Sequence, residues 1–171
     1  MSQKITGIAA SEGIAIAPVY LLVDPVLTYE KVTIDNVQEE LARLNTAVDQ
    51  AKGEIKKIRH HAQQQLGEDE AQVFDAHLLV LEDPEYLTQI QQVVEEEQVN
   101  AELALDQVTA TYIQMFEAME DNPYMQERAA DLKDVSQRLL AALLGVELPN
   151  PSTIDHEVIV VAHDLTPSDT A

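Results

Sequence analysis

Residues 37–62 read VQEELARLNTAVDQAKGEIKKIRHHA, and their apolar positions Val37, Leu41, Leu44, Val48, Ala51, Ile55, Ile58 and Ala62 step by 4, 3, 4, 3, 4, 3 and 4. Alternating steps of that size keep one narrow apolar seam on one side of an α-helix. The stretch predicts a single helix of about thirty residues packed lengthwise on its neighbours. The same seam also suits a coiled-coil dimer of two chains. Asp35, followed three residues on by Gln38, has the spacing of an N-cap and its reciprocal partner, and Gly67 is placed to end the helix.

Further helices follow outward from this one. Val73, Phe74, His77, Leu78 and Leu81 form the stripe of a second, which stops at Asp83-Pro84, where the aspartate caps a third helix running to about Gln98. Asn100 caps a fourth, with Leu103, Ala104, Val108, Thr111, Tyr112, Met115 and Met119. Asn122-Pro123 starts a fifth, with Leu132, Val135, Leu139 and Leu143 inward and Gly145 at its end. Short connections imply antiparallel neighbours. Before and after this block lie β-like runs at residues 5–9, 14–23 and 157–162, the first two separated by the turn-like Ser11-Glu12-Gly13, and residues 148–152 read as a linker. Strands at both ends with helices between predict a small α/β unit from which a helical block projects as an insertion.

Charge narrows the function. Between Arg59 and Arg128 there is no Lys or Arg, while residues 60–127 hold sixteen Asp and Glu, within a chain of net charge −21. Such a surface repels nucleic acid and anionic membrane and steers a basic partner towards itself. It reads as a docking face, or more plainly as helices kept soluble by carboxylates. No apolar run reaches the roughly 18 residues of a spanning helix, and Met1-Ser2-Gln3-Lys4 does not open a secretory leader, which predicts a cytoplasmic protein. The absence of Cys excludes disulfides and thiolate chemistry.

Chemistry-bearing groups are sparse. His60 and His61 are adjacent and point to different sides of a helix, His156 and His163 flank the last β-like run, and His77 reads either as a contact residue or as a core-edge histidine. With five Gly and no Gly-rich loop, nucleotide binding has no support. Tyr124, Met125 and Arg128 combine an aromatic, a flexible apolar side chain and a cation, which are hot-spot residue types. A helix start packed on its neighbour gives the same pattern. Three classes stay open: a binding module, a helical protein self-associating through its seam, and a small histidine or metal enzyme.

Four strings in order, ITGIAASEGIA (5–15), AHLLVLED (76–83), ERAADLKD (127–134) and DLTPSDTA (164–171), resemble the amino-terminal part of enzyme I, the phosphoenolpyruvate-protein phosphotransferase of the bacterial sugar phosphotransferase system. The resemblance covers essentially the whole chain. It implies a mainly α fold, with a helical hairpin bundle at residues 25–147 that binds the phosphocarrier HPr, inserted into a partial α/β phosphohistidine domain formed by residues 1–24 and 148–171. It further implies that the phosphoryl group passes from phosphoenolpyruvate to a histidine of the enzyme and on to HPr, whose binding face is basic. Carried over by position, the HPr contact falls on Glu68, Asp69, Gln72, Asp75, His77, Leu79, Val80, Tyr86, Tyr124, Met125 and Arg128. The family's phosphorylated histidine lies in a Gly-Gly-x-Thr-Ser-His motif beyond the Asp-Leu-Thr-Pro-Ser string, and no histidine here matches it. The resemblance therefore implies an inactive amino-terminal fragment with no catalytic residue, metal ligand or cofactor of its own. Mg²⁺, phosphoenolpyruvate binding and dimerisation belong by the same resemblance to the carboxy-terminal domain of the intact enzyme, and the fragment is expected to be monomeric.

Overall fold

The computed structural model describes residues 6–119, 121–151 and 154–170. Of the positions read above, residues 1–5, Glu120, Ser152 and Ala171 lie outside the described residues. The order is β1 (Val19–Leu21), α1 (Val37–Gln65), α2 (Glu68–Glu82), α3 (Pro84–Glu97), α4 (Ala101–Glu117), α5 (Pro123–Leu144), β2 (Ile159–Val161) and α6 (Pro167–Thr170). The chain is mainly α, with α1 to α5 forming the bundle and β1 and β2 pairing in parallel.

Six of the eight seam positions of α1, Leu44, Val48, Ala51, Ile55, Ile58 and Ala62, are buried together with Ala47. The seam packs on α2 and α5 of the same chain, so it is spent inside the bundle and is not an interface between two chains. Its cap is Asn36 and not Asp35: with Val37 as the first helical residue, the extended residue before it is Asn36, whose Oδ1 accepts from the Glu39 N–H at 3.2 Å. Gly67 closes α1 by donating its N–H to the Ala62 carbonyl. With φ +120° it also opens α2, in a conformation that L side chains rarely adopt.

Asp83 caps α3, its Oδ1 accepting from the N–H groups of Glu85 (2.8 Å) and Tyr86 (3.3 Å), and Pro84 takes the first helical position. Gln98 ends α3 with φ +52°, and Gly145 ends α5 with φ +66°. Asn100 stands at the start of α4, but its side chain is engaged elsewhere. Its Oδ1 accepts from Val32 N–H at 3.1 Å, and its Nδ2 donates to the Glu30 carbonyl at 3.1 Å and to Glu102 at 3.0 Å. It thereby fastens the incoming segment to the bundle. Asn122 precedes Pro123 without a side-chain cap bond.

The core centres on Leu44, Ile55, Phe74, Leu81, Ile90, Leu105 and Leu139. Leu132, Val135, Leu139 and Leu143 of α5 all face it. Two stripes need correction. In α4 the inward line is Leu105, Val108, Tyr112 and Phe116, whereas Thr111 and Met115 lie one residue back, about 100° round the helix, and are exposed; Met119 is exposed beyond the end of α4. Val73, next to buried Phe74, is exposed for the same reason. The β-like runs are shorter than their composition predicts. Among the described residues only 19–21 and 159–161 form strands, and Ile8, Ile14 and Ile16 are almost fully exposed, because no further strand there offers them a ladder.

Candidate docking face

The first turn of α2 carries Glu68, Asp69 and Glu70, where carboxylates favour the positive end of the helix dipole. Arg59 reaches across from α1. Its Nε lies 2.6 Å from Asp75 Oδ1, and its Nη2 lies 3.1 Å from Asp75 Oδ2 and 2.8 Å from Glu68 Oε1. That pair of donors holds the Asp75 carboxyl below the usual carboxylate range. Asp69 and Gln72 are exposed beside it.

One and a half turns further along α2, the surface changes character. Leu79 is 60% exposed, and together with Val80 it forms one wall of a groove of about 330 Å³. Tyr124, Met125 and Arg128 of α5 form the other wall, Tyr112 and Phe116 of α4 the floor, and Asp83, Tyr86 and Leu132 complete it. The aromatic rings interlock. Tyr86 and Tyr112 meet edge to face at 5.6 Å, and Tyr112 and Phe116 at 6.0 Å, a geometry that suits their ring quadrupoles. The Arg128 guanidinium lies 5.0 Å over the Tyr124 ring and donates to its hydroxyl from Nε (3.0 Å) and Nη2 (2.7 Å). This pairing holds a cation at the rim.

Of the eleven carried residues, six line the groove: Leu79, Val80, Tyr86, Tyr124, Met125 and Arg128. Glu68, Asp69, Gln72 and Asp75 lie on the earlier turns of α2 and not in it. Two side chains are interior. Tyr86 is 2% exposed with its hydroxyl 2.6 Å from Thr109 Oγ1, and burial pushes its phenol well above the usual range. His77 is 1% exposed, edge-on to Phe74, with Nε2 3.3 Å from Asp131 Oδ1 and Nδ1 3.9 Å from Asp134 Oδ2. In this structure it is a buried, paired histidine between α2 and α5. In this conformation His77 offers a partner no direct surface, and Tyr86 only the edge that completes the groove.

The acidic stretch is not one face. Glu102 is 5% exposed and bound by Arg43 at 2.6 and 2.8 Å, Asp106 accepts from the Tyr29 hydroxyl, and Glu117 pairs with Lys133. The aromatic floor was not read from the sequence, although Tyr112 and Phe116 at i and i+4 carry its signal. His60 contacts Gln64, and His156 contacts Asp155. Among the described residues no three or more His, Asp or Glu side chains converge as metal ligands, and no helix is long and apolar enough to cross a membrane.

The profile of the family described as PEP-utilising enzyme, N-terminal, matches residues 6–128. Proteins named phosphoenolpyruvate-protein phosphotransferase from Enterococcus faecalis, Streptococcus equinus and Priestia megaterium are 59%, 56% and 54% identical over 171 residues, covering 100% of this chain and 30% of each relative. The chain thus spans about a third of the length of these relatives. Among solved structures, an NMR solution structure of enzyme I superposes with a TM-score of 0.87 at 37% identity, covering 96% of this chain and 66% of that one. A structure of the N-terminal domain of Enzyme 1 – Nitrogen gives 0.68 at 25% identity, covering 92% and 64%.

Proposed function

The chain belongs to the PEP-utilising enzyme N-terminal family, as the amino-terminal part of an enzyme I, and we propose that it is the part of a phosphoenolpyruvate-protein phosphotransferase that docks the phosphocarrier HPr. The observation that carries this reading is the groove between α2 and α5, apolar within and flanked by the carboxylates of the first turns of α2. An apolar centre supplies the burial that holds a complex, and the acidic flank steers a basic partner to it and fixes its orientation. Leu79, Val80, Tyr124, Met125 and Arg128 form the centre. Glu68, Asp69, Gln72 and Asp75 form the flank. His77 and Tyr86 lie beneath and support it.

In this reading residues 25–147 are the docking domain, and residues 1–24 and 148–171 belong to the phosphohistidine domain. No Gly-Gly-x-Thr-Ser-His string occurs in this sequence. The nucleophilic histidine is accordingly assigned to the part of the relatives not represented in it, and so are the groups that bind phosphoenolpyruvate and Mg²⁺ and make the dimer. Among the described residues no cluster is suited to Mg²⁺. Alone, residues 1–171 act as a monomeric, catalytically silent, cytoplasmic docking module of the sugar phosphotransferase system.

The test is a titration of isotope-labelled HPr with this chain, followed by NMR at low and at physiological salt. Shifts confined to the face around the phosphorylatable histidine of HPr, weakening with salt, are expected. The absence of shifts at both salt concentrations overturns the reading. Replacing Glu68 and Asp69 by Lys should slow association and flatten its salt dependence. An unchanged on-rate at low salt removes the electrostatic part and leaves the apolar centre.

A further inference from the structure

The two walls of the groove belong to different helices, Leu79 and Val80 to α2 and Met125 and Arg128 to α5. Their relative position therefore depends on what fixes α2 against α5. Apolar contact between the helices gives attraction without direction and tolerates sliding. A buried hydrogen bond does not, because its strength falls steeply with distance and angle. His77 of α2 supplies such a bond. Its ring is 1% exposed, its Nε2 lies 3.3 Å from Asp131 Oδ1 of α5, and its Nδ1 faces Asp134 Oδ2 of the same helix at 3.9 Å.

The tie lies at the inner end of the groove, within one helical turn of both walls. From His77 the groove residue Val80 is three positions towards the C-terminus of α2. From Asp131 the groove residue Arg128 is three positions towards the N-terminus of α5. This is the register of antiparallel neighbours. A shift of one helix along the other therefore changes the tie and the distance between the walls together.

We infer that His77 is a positioning residue of the docking groove, acting through Asp131 and not by touching the partner. The inference rests on the docking reading above and states how His77, beneath the groove, supports it. Because the carboxylate only accepts, Nε2 carries the hydrogen and donates it. A glutamine amide can occupy roughly the place of Nε2 and keep the donor, whereas phenylalanine keeps the ring volume and the edge contact with Phe74 but leaves Asp131 without it.

The experiment compares His77→Gln, His77→Phe and Asp131→Ala in the 171-residue chain, by HPr binding kinetics and by backbone amide shifts of the free protein. His77→Phe should dissociate roughly tenfold faster, with on-rate and salt dependence unchanged, since register acts on the formed complex and not on encounter. His77→Gln should stay within about twofold of the parent. Asp131→Ala, at a partly exposed position that folding tolerates better, should repeat the effect of His77→Phe. In the free protein, His77→Phe should move the amide shifts of Leu79 and Val80 together with those of Met125 and Arg128, and His77→Gln should restore them. Equal loss in Gln and Phe variants, or parent-like dissociation in Asp131→Ala, overturns the inference while the docking reading stands. Failure of the unsubstituted chain to bind HPr overturns that reading, and the free-protein shifts then decide whether His77 sets the register of α2 on α5.

Discussion

Ile55, Ile90, Leu105 and Leu139 of the helices are fully buried, whereas Val19 and Leu21 of β1 are 66% and 64% exposed, although all six are apolar side chains in regular structure. The difference lies in what each element meets. The helices present wide apolar faces to several neighbours each, and their burial removes most of the side chain from water. The strand pair has main-chain bonds, Leu22 N–H to the Val161 carbonyl at 2.9 Å and Ile159 N–H to the Pro18 carbonyl at 2.8 Å, with little apolar cover. Two short strands alone are marginal in water. The stability of these 171 residues therefore resides in the bundle, and the strand pair rides on it.

The strongest way to break this comparison is in the core. Leu105→Ala should cost about 2–5 kcal/mol in urea or thermal unfolding, since Leu105 is fully buried between its neighbours. A loss below about 1 kcal/mol would mean that the bundle does not fold as one cooperative unit. Next comes the polar clamp where α1 and α4 begin. Arg43 binds both oxygens of Glu102 and both of Glu40 and donates to the Leu143 carbonyl at 3.1 Å. Breaking a buried pair costs about 3–5 kcal/mol, but the Arg43 side chain is 38% exposed. Solvent screening lowers the expectation for Arg43→Ala to about 2 kcal/mol.

The clamp also predicts a pH dependence. Burial by itself pushes the Glu102 carboxyl up, and the bonds from Arg43, from backbone N–H and from Asn100 outweigh it, so the group titrates below its usual range. A carboxyl depressed in the folded state adds stability above its unfolded pKa of about 4.3 and loses it as pH falls through the folded value. The gap between the parent and Arg43→Ala should be widest near neutrality and narrow progressively in acid. A gap that widens in acid would contradict the assignment of Arg43 as the group that holds Glu102 ionised.

The same contrast governs what could be read from residue order. The seam of α1, the inward line of α5, and the Asp83-Pro84 and Gly145 boundaries were legible, because period and end chemistry are local. The cap of α1 was misplaced by one residue because Asp35 and Asn36 are both competent caps, and only the phase of the first turn separates them. The outward turn of Met115 was not legible, since a one-residue change of phase leaves the composition of the stripe intact. At the candidate site, the resemblance brought forward the residues of both walls. It could not tell that His77 and Tyr86 face inward or that Glu102 is a clamp residue, because burial is settled by elements far apart in sequence. For the strands, β-branched composition overstated their length, as a ladder needs a partner and not only propensity.

A smaller effect is expected at the end of α5. Gly145 has φ +66°, and a Cβ there would meet nothing within 4 Å. Gly145→Ala therefore tests backbone conformation without a clash, and should cost about 1 kcal/mol by equilibrium unfolding. A neutral result would show that the turn after α5 relaxes freely, and that the bundle ends before Gly145 in energetic terms.

The smallest effect bears most directly on the strands. Leu21→Ser exchanges a side chain that is 64% exposed, keeps the main-chain donor and acceptor of β1, and should change the unfolding free energy by no more than about 0.5 kcal/mol. Amide exchange gives the same contrast without substitution. Tyr20 sits opposite Val160 in the parallel pair, and its amide should exchange by local opening, orders of magnitude faster than that of Ile55 in the middle of α1. If Leu21→Ser instead cost more than about 1 kcal/mol, or if Tyr20 exchanged as slowly as Ile55, β1 would have to open only with the bundle. The insertion and the unit that carries it would then unfold as one, and movement of the docking groove relative to the strands would require opening the core and not merely a hinge between them.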